Sequence, residues 1–217
     1  MEKKPETQVK IKICGLRTPA DVAAVNAALP EYAGFIFVPM RRRYVAPAQA
    51  AILCQQLDPR IRPVGVFVDA RVEEILEALE HCPLDMVQLH GAEDNDYIAM
   101  LRAAYRSRFA VESRNLCIVK AFRVEGADDI RRAEASSADE ILLDHGAGGT
   151  GERFDWTLLQ HCRRRFFLAG GLTPDNVEDA IRVAQPYAVD VSSSLETDGR
   201  KDPEKIRRFV AAVRRSL

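Results

Sequence analysis

The strongest constraint on this chain is a rhythm. Short apolar runs alternate with longer segments of helical spacing from one end to the other. The apolar runs predict strands at residues 9–15, 34–38, 64–68, 85–90, 116–122, 140–144, 166–169 and 188–192. The intervening patterns predict helices at 19–28, 47–57, 72–81, 96–105, 127–135, 156–162, 174–184 and 203–215. Thr18 stands where an N-cap belongs, with Pro19 at the first helical position and Asp21 three residues after the cap. Asp202 stands before Pro203 in the same way. Strict alternation of strand and helix implies a parallel sheet with helical crossovers. Eight units of about 27 residues favour a closed (β/α)8 TIM barrel, an α/β fold with eight parallel strands. An open doubly wound sheet fits less well, because no Gly-rich dinucleotide fingerprint follows the first strand. The expectation is one barrel domain over residues 1–217, with residues 1–8 a polar N-terminal extension.

Composition narrows the function classes. The formal net charge of the 217 residues is -1, so no global basic field recruits nucleic acid or an anionic membrane. The N-terminus is polar, without the apolar stretch of a secretory signal, and no run approaches the roughly 18 apolar residues of a membrane span. There are five cysteines and no CxxC pair, which points away from a disulfide framework or zinc cluster and toward a reduced, cytoplasmic chain.

Strand parity then separates two faces. In a helix-wrapped barrel the outward side chains must be apolar, and alternate residues face opposite ways. Ile11, Ile13, Val87, Leu89, Leu143, Val189 and Val191 therefore face the helices. Lys10, Lys12, Cys14, Gln88, His90, Leu142, Asp144, Asp190 and Ser192 face inward. Cys14, His90, Asp144 and Ser192 lie at strand C-terminal ends, where barrels do chemistry. Lys12 sits one pleat below Cys14, and a nearby cation lowers a thiol pKa. An inward carboxylate such as Asp144 suits proton donation. A thiolate base and a carboxylic acid at one mouth suggest proton transfer with no metal. Cys54, Cys82, Cys117 and Cys162 read as packing residues, and His81, His145 and His161 as surface or loop residues.

Three glycine- or serine-rich places come late: Gly148-Gly149-Thr150-Gly151, Gly170-Gly171 before Thr173-Pro174, and Ser192-Ser193-Ser194. Barrels commonly hold phosphate with the loops after strands seven and eight. Arg41-Arg42-Arg43 lies on a loop at the active face, where one member can grip a carboxylate. Arg163-Arg164-Arg165 reads as a solvated surface run.

Together these motifs resemble the phosphoribosylanthranilate isomerase family. They are KICG at 12–15, GFIFVP at 34–39, RRYV at 42–45, VGVFVD at 64–69, VQLHG at 87–91, LLD at 142–144, GGTG…FDW at 148–156, AGGLTPDNV at 169–177 and VDVSS at 189–193. The resemblance covers residues 9 to about 213. It implies a tryptophan-biosynthesis enzyme that performs an Amadori rearrangement of N-(5′-phosphoribosyl)anthranilate. It implies Cys14 as general base and Asp144 as general acid. It further implies Arg43 on the anthranilate carboxylate, and Gly170, Gly171, Ser192 and Ser193 on the phosphate. His90 is expected to line the substrate site. No cofactor or metal is implied. The expected partner is a small phosphorylated substrate, with no nucleic acid or membrane, and monomer and homodimer both fit. Two positions depart from the family pattern. Ser194 stands where Gly is usual, a strain if that residue needs φ > 0, and Arg41 replaces a small polar residue. Other phosphosugar isomerases or epimerases, or a non-catalytic phosphosugar-binding barrel, are the competing readings. A metal-dependent epimerase would need clustered inward His and carboxylate ligands, which the strands lack.

Overall fold

In the computed structural model, which describes residues 8–109, 116–145 and 156–216, eight parallel strands close into a barrel in chain order. They are β1 (Lys10–Cys14), β2 (Tyr32–Ile36), β3 (Arg62–Phe67), β4 (Met86–Leu89), β5 (Cys117–Arg123), β6 (Glu140–Asp144), β7 (Phe166–Ala169) and β8 (Ala188–Val191). Closure is made by β8 against β1, with Lys12 opposite Asp190. The expected α/β barrel is therefore the observed one.

The helices between strands are α1 (Pro19–Ala28), α2 (Pro47–Gln55), α3 (Val72–His81), α4 (Asn95–Phe109), α5 (Ala127–Glu134) and α6 (Val177–Ala184), followed after β8 by α7 (Pro203–Arg215). Thr18 caps α1 reciprocally. Its Oγ1 accepts the Asp21 N–H at 3.2 Å, and the Asp21 carboxylate accepts the Thr18 N–H at 3.0 Å. Asp202 caps α7 by accepting the N–H groups of Glu204 and Lys205. Three local expectations are corrected. Between β6 and β7 the described crossover is a 3-10 helix, Trp156–His161, rather than an α-helix. β2 begins two residues before the apolar run, because Tyr32 and Ala33 pair with both neighbouring strands. Arg164 is not simply solvated: its guanidinium donates to the Ser136 and Ala138 carbonyls beyond α5 at 2.6 and 2.7 Å. Arg165 pairs with Glu140.

The parity argument holds in the packing. Ile11, Ile13, Phe35, Val87, Leu89, Leu143, Val189 and Val191 form one cluster with helix residues such as Val25, Leu53, Ile75, Leu101, Ile181 and Phe209. Each such fully buried side chain stabilises the fold by about 1.5–3 kcal/mol relative to exposure. A second, inner cluster fills the lower barrel: Tyr32, Val64, Met86, Val119, Leu142, Phe167 and Ala188. Its floor is aromatic, with Phe167 stacked obliquely against Tyr32 at 5.3 Å and edge-on to Tyr187 at 5.7 Å. Lys10 faces this end, donating to the Tyr187 hydroxyl at 2.7 Å, so it is remote from the strand C-termini. Above the apolar plug the inward positions turn polar: Lys12, Gln88 and Asp190 are all buried there.

A short antiparallel hairpin, β9 (Glu196–Thr197) and β10 (Arg200–Lys201), follows β8 and brings Glu196 and Lys201 back toward the barrel mouth. Among the described residues, no helix is long and apolar enough to cross a membrane.

Candidate active site

At the C-terminal ends of the strands lies an open cavity of about 840 Å³. Its wall includes Cys14, Arg43, Gln88, His90, Asp144, Gly170, Gly171, Asp190, Ser192 and Ser193. The structure thus brings together every expected site residue. The Gly148–Gly151 motif and Phe154-Asp155 lie outside the described residues.

Cys14 ends β1 opposite Gly34 of β2. A Cβ at residue 34 would come within 2.7 Å of the Cys14 sulfur, so glycine there makes the space the thiol occupies. Lys12 donates to Asp190 Oδ1 at 2.9 Å, with both side chains nine-tenths or more buried. Burial alone would drive the Lys12 ammonium down. The Asp190 carboxylate and the Cys14 sulfur offset this, and its pKa lies above the ordinary lysine value. Lys12 does lower the Cys14 pKa, as expected, but it is outweighed. Burial pushes the thiol up, Lys12 pulls it down, Asp190 pushes it up again, and the net shift is upward. Cys54 and Cys82, also buried, are pushed to about 12 and about 11. No cation offsets burial at either, which marks them as packing thiols.

Asp144 ends β6 across the mouth. His90 follows β4, its backbone N–H held by the Phe67 carbonyl at 2.8 Å. His90 Nε2 lies 3.4 Å from Asp144 Oδ2, and these two side chains are about a third exposed. The loop carrying His90 is tied from behind by residues that belong to no sequence motif. Glu93 accepts the N–H groups of Asp69 and Gly91, both at 2.8 Å. Lys120 lies 3.3 Å from Glu93 and donates to the Gly91 carbonyl at 2.7 Å. Lys120 is buried on the outward parity of β5, where the pattern leads one to expect an apolar side chain.

The loops after β7 and β8 form a third wall. Gly170 has φ +94°, and a Cβ there would come within 2.1 Å of the His145 carbonyl oxygen, so no other residue fits. Asn176 closes the β7 loop by accepting the Thr173 N–H and donating to the Gly171 carbonyl. Helix α6 consequently starts at Val177, later than the expected residue 174. Ser192 Oγ donates to the Cys14 carbonyl at 3.0 Å, tying the β8 loop to the end of β1. Ser194 is not among the residues with positive φ, so it carries no strain. Its hydroxyl donates to the Leu172 carbonyl at 2.5 Å, which joins the two loops.

Arg43 reaches the mouth but is already engaged. Its Nε and one terminal nitrogen grip Glu196 at 2.5 and 3.0 Å. This pairing raises the Arg43 pKa. Lys201 joins the same carboxylate at 3.2 Å and donates to the Ser192 carbonyl at 2.9 Å. Glu196 and Lys201 were missed because two-residue strands carry no periodic signal. Arg41 is exposed on the rim.

Comparison with known proteins bears directly on this geometry. Residues 11–212 match the family model described as N-(5′-phosphoribosyl)anthranilate isomerase. The N-(5′-phosphoribosyl)anthranilate isomerase of Lactiplantibacillus plantarum is 44% identical over 203 residues, covering 93% of this chain and 90% of its own. The crystal structure of phosphoribosyl anthranilate isomerase from Thermotoga maritima aligns with TM-score 0.82 at 34% identity, covering 95% and 99% of the two chains. A phosphoribosyl anthranilate isomerase in complex with reduced 1-(o-carboxyphenylamino)-1-deoxyribulose 5-phosphate aligns with TM-score 0.80 at 34% identity and the same coverage.

Proposed function

The chain belongs to the N-(5′-phosphoribosyl)anthranilate isomerase family, and from that premise we propose which of its residues perform the reaction. It is an isomerase of tryptophan biosynthesis that converts N-(5′-phosphoribosyl)anthranilate to 1-(2-carboxyphenylamino)-1-deoxyribulose 5-phosphate. Asp144 protonates the furanose ring oxygen, the C1′–O bond breaks, and a Schiff base forms. Cys14 then takes the C2′ proton to give an enolamine, which tautomerises to the ketone. Both steps are proton transfers between fixed groups.

The observation that carries this reading is the placement of Cys14 and Asp144 on one cavity whose third wall is the Gly170-Gly171 and Ser192-Ser193 loops. Those loops offer backbone N–H groups and hydroxyls to the substrate phosphate. Arg43 takes the anthranilate carboxylate through the guanidinium edge that Glu196 leaves open, while the bidentate grip on Glu196 fixes the side chain. His90 lines the sugar side of the site. We place the enzyme in the cytoplasm, which suits five free cysteines.

Turnover of phosphoribosylanthranilate by the wild type, Cys14→Ser and Asp144→Asn tests the assignment. Each variant is expected to lose about 10²- to 10⁴-fold in kcat while still binding a product analogue in calorimetry. Undiminished turnover by either variant removes that residue from its role.

A further inference from the structure

Gln88 is the inward residue of β4 one pleat below His90, and it is 1% exposed. In the barrel register it lies between Val66 and Val119, and the next inward residue of its strand is Met86. Its neighbours across the strands and below are thus apolar, while its upper side meets the polar layer of the cavity. The carboxamide there has a single polar partner among the described residues: Nε2 lies 2.9 Å from His90 Nδ1. Its Oε1 is buried with no hydrogen-bond partner. An unpaired buried acceptor is unfavourable and calls for an explanation in function.

The chemistry of the two groups supplies one. A carboxamide nitrogen only donates, so Nδ1 of His90 accepts. The neutral ring then carries its proton on Nε2, the nitrogen 3.4 Å from Asp144 Oδ2. When the ring takes up a second proton, Nδ1 needs an acceptor. Rotation of the carboxamide presents the otherwise idle Oε1 to it. One side chain therefore serves both protonation states of His90 without moving the ring away from Asp144.

We propose that Gln88 is a positioning residue for the acid half of the reaction, holding His90 so that Nε2–H always faces Asp144 and the His90–Asp144 pair handles the proton delivered to the substrate. This rests on the acid role given to Asp144 above. The other titratable or charged groups on the cavity are Cys14 of β1, Asp190 of β8 with its partner Lys12, and Arg43 on the far side, while Asp69 after β3 accepts the Ala92 N–H behind the His90 loop. His145 stands beside Asp144, and the Lys120–Glu93 pair lies behind Gly91.

Nitrogen-15 NMR of the His90 ring in the full chain reads the claim without turnover. The neutral wild-type ring is expected in the Nε2–H tautomer, and Gln88→Met is expected to give a mixture of both. Gln88→Glu, which offers only acceptors, is expected to invert the neutral tautomer to Nδ1–H. In turnover, Gln88→Met is expected to lower kcat by about ten- to a hundredfold with altered pH dependence, and to add almost nothing in a His90→Ala background. A wild-type ring in the Nδ1–H tautomer overturns the proposal whether or not any variant folds. So does an unchanged tautomer in Gln88→Met, or additive losses in the double variant. Loss of the acid role of Asp144 would appear separately, as full turnover by Asp144→Asn.

Discussion

The two halves of the barrel mouth solve opposite problems. On the β1/β8 side, Cys14, Lys12 and Asp190 are buried, and the 2.9 Å Lys12–Asp190 pair sustains charge there. On the β4/β6 side, His90 and Asp144 stand 35% and 27% exposed, with a looser 3.4 Å approach. A base that must take a proton from carbon benefits from a dry site, where thiolate is poorly solvated and correspondingly basic. An acid that must be reloaded every turnover benefits from contact with water. Burial and exposure thus separate the two proposed roles more cleanly than residue type does, since a carboxylate, Asp190 or Asp144, sits in each half.

The largest expected effect comes from the dry half. Lys12→Met leaves Asp190 buried without its cation, and breaking such a pair costs about 3–5 kcal/mol. Urea unfolding should register that loss, with kcat falling as the thiolate loses its counter-ion. The matching change in the wet half, Asp144→Asn, should alter stability by only about 0.5 kcal/mol, because a partly exposed carboxylate is close to its hydrated state. Equal stability losses in the two variants would erase the distinction between the halves.

A smaller effect is expected in the pH profile. In the proposed base role the active form of Cys14 is the thiolate, and burial is the largest of the influences that hold its thiol above the ordinary value. The base-dependent limb of kcat/KM should therefore climb as pH rises, with its inflection above the usual thiol range. An inflection near neutrality would mean that Lys12 outweighs burial, and the base side would not be dry in effect.

How much of this was legible beforehand follows from the physics of each signal. Alternation of apolar residues along β1, β4, β6 and β8 was enough to place Cys14, His90, Asp144 and Ser192 on one face, because outward residues must meet helices. The direction of the Cys14 shift was not legible. The sequence displays the neighbouring Lys12 but not the depth at which both lie. Nor was Asp190 legible as the partner of Lys12, since the two are 178 residues apart and meet only when β8 closes on β1. Lys120 escaped because it breaks the outward-apolar rule, and its compensation by Glu93 and the Gly91 carbonyl comes from a different loop. Glu196 and Lys201 escaped because a hairpin of two-residue strands has no period to detect.

The smallest effect concerns the third wall, which belongs to neither half. Ser194 occupies a position where the family pattern favours glycine, and the sequence alone raises the prospect of strain. The backbone there has no positive φ, and the hydroxyl instead bonds the Leu172 carbonyl. Ser194→Gly should therefore relieve nothing and should remove one hydrogen bond between the loops after β7 and β8. A net hydrogen bond contributes about 0.5–1.5 kcal/mol. If that bond holds the loops in their phosphate-gripping arrangement, the loss appears as a two- to about tenfold rise in KM with kcat nearly unchanged. The split matters, because neither Cys14 nor Asp144 touches this bond. A fall in kcat of the same size would show that the loops also set the alignment of base and acid, and that the two halves of the mouth are not independent.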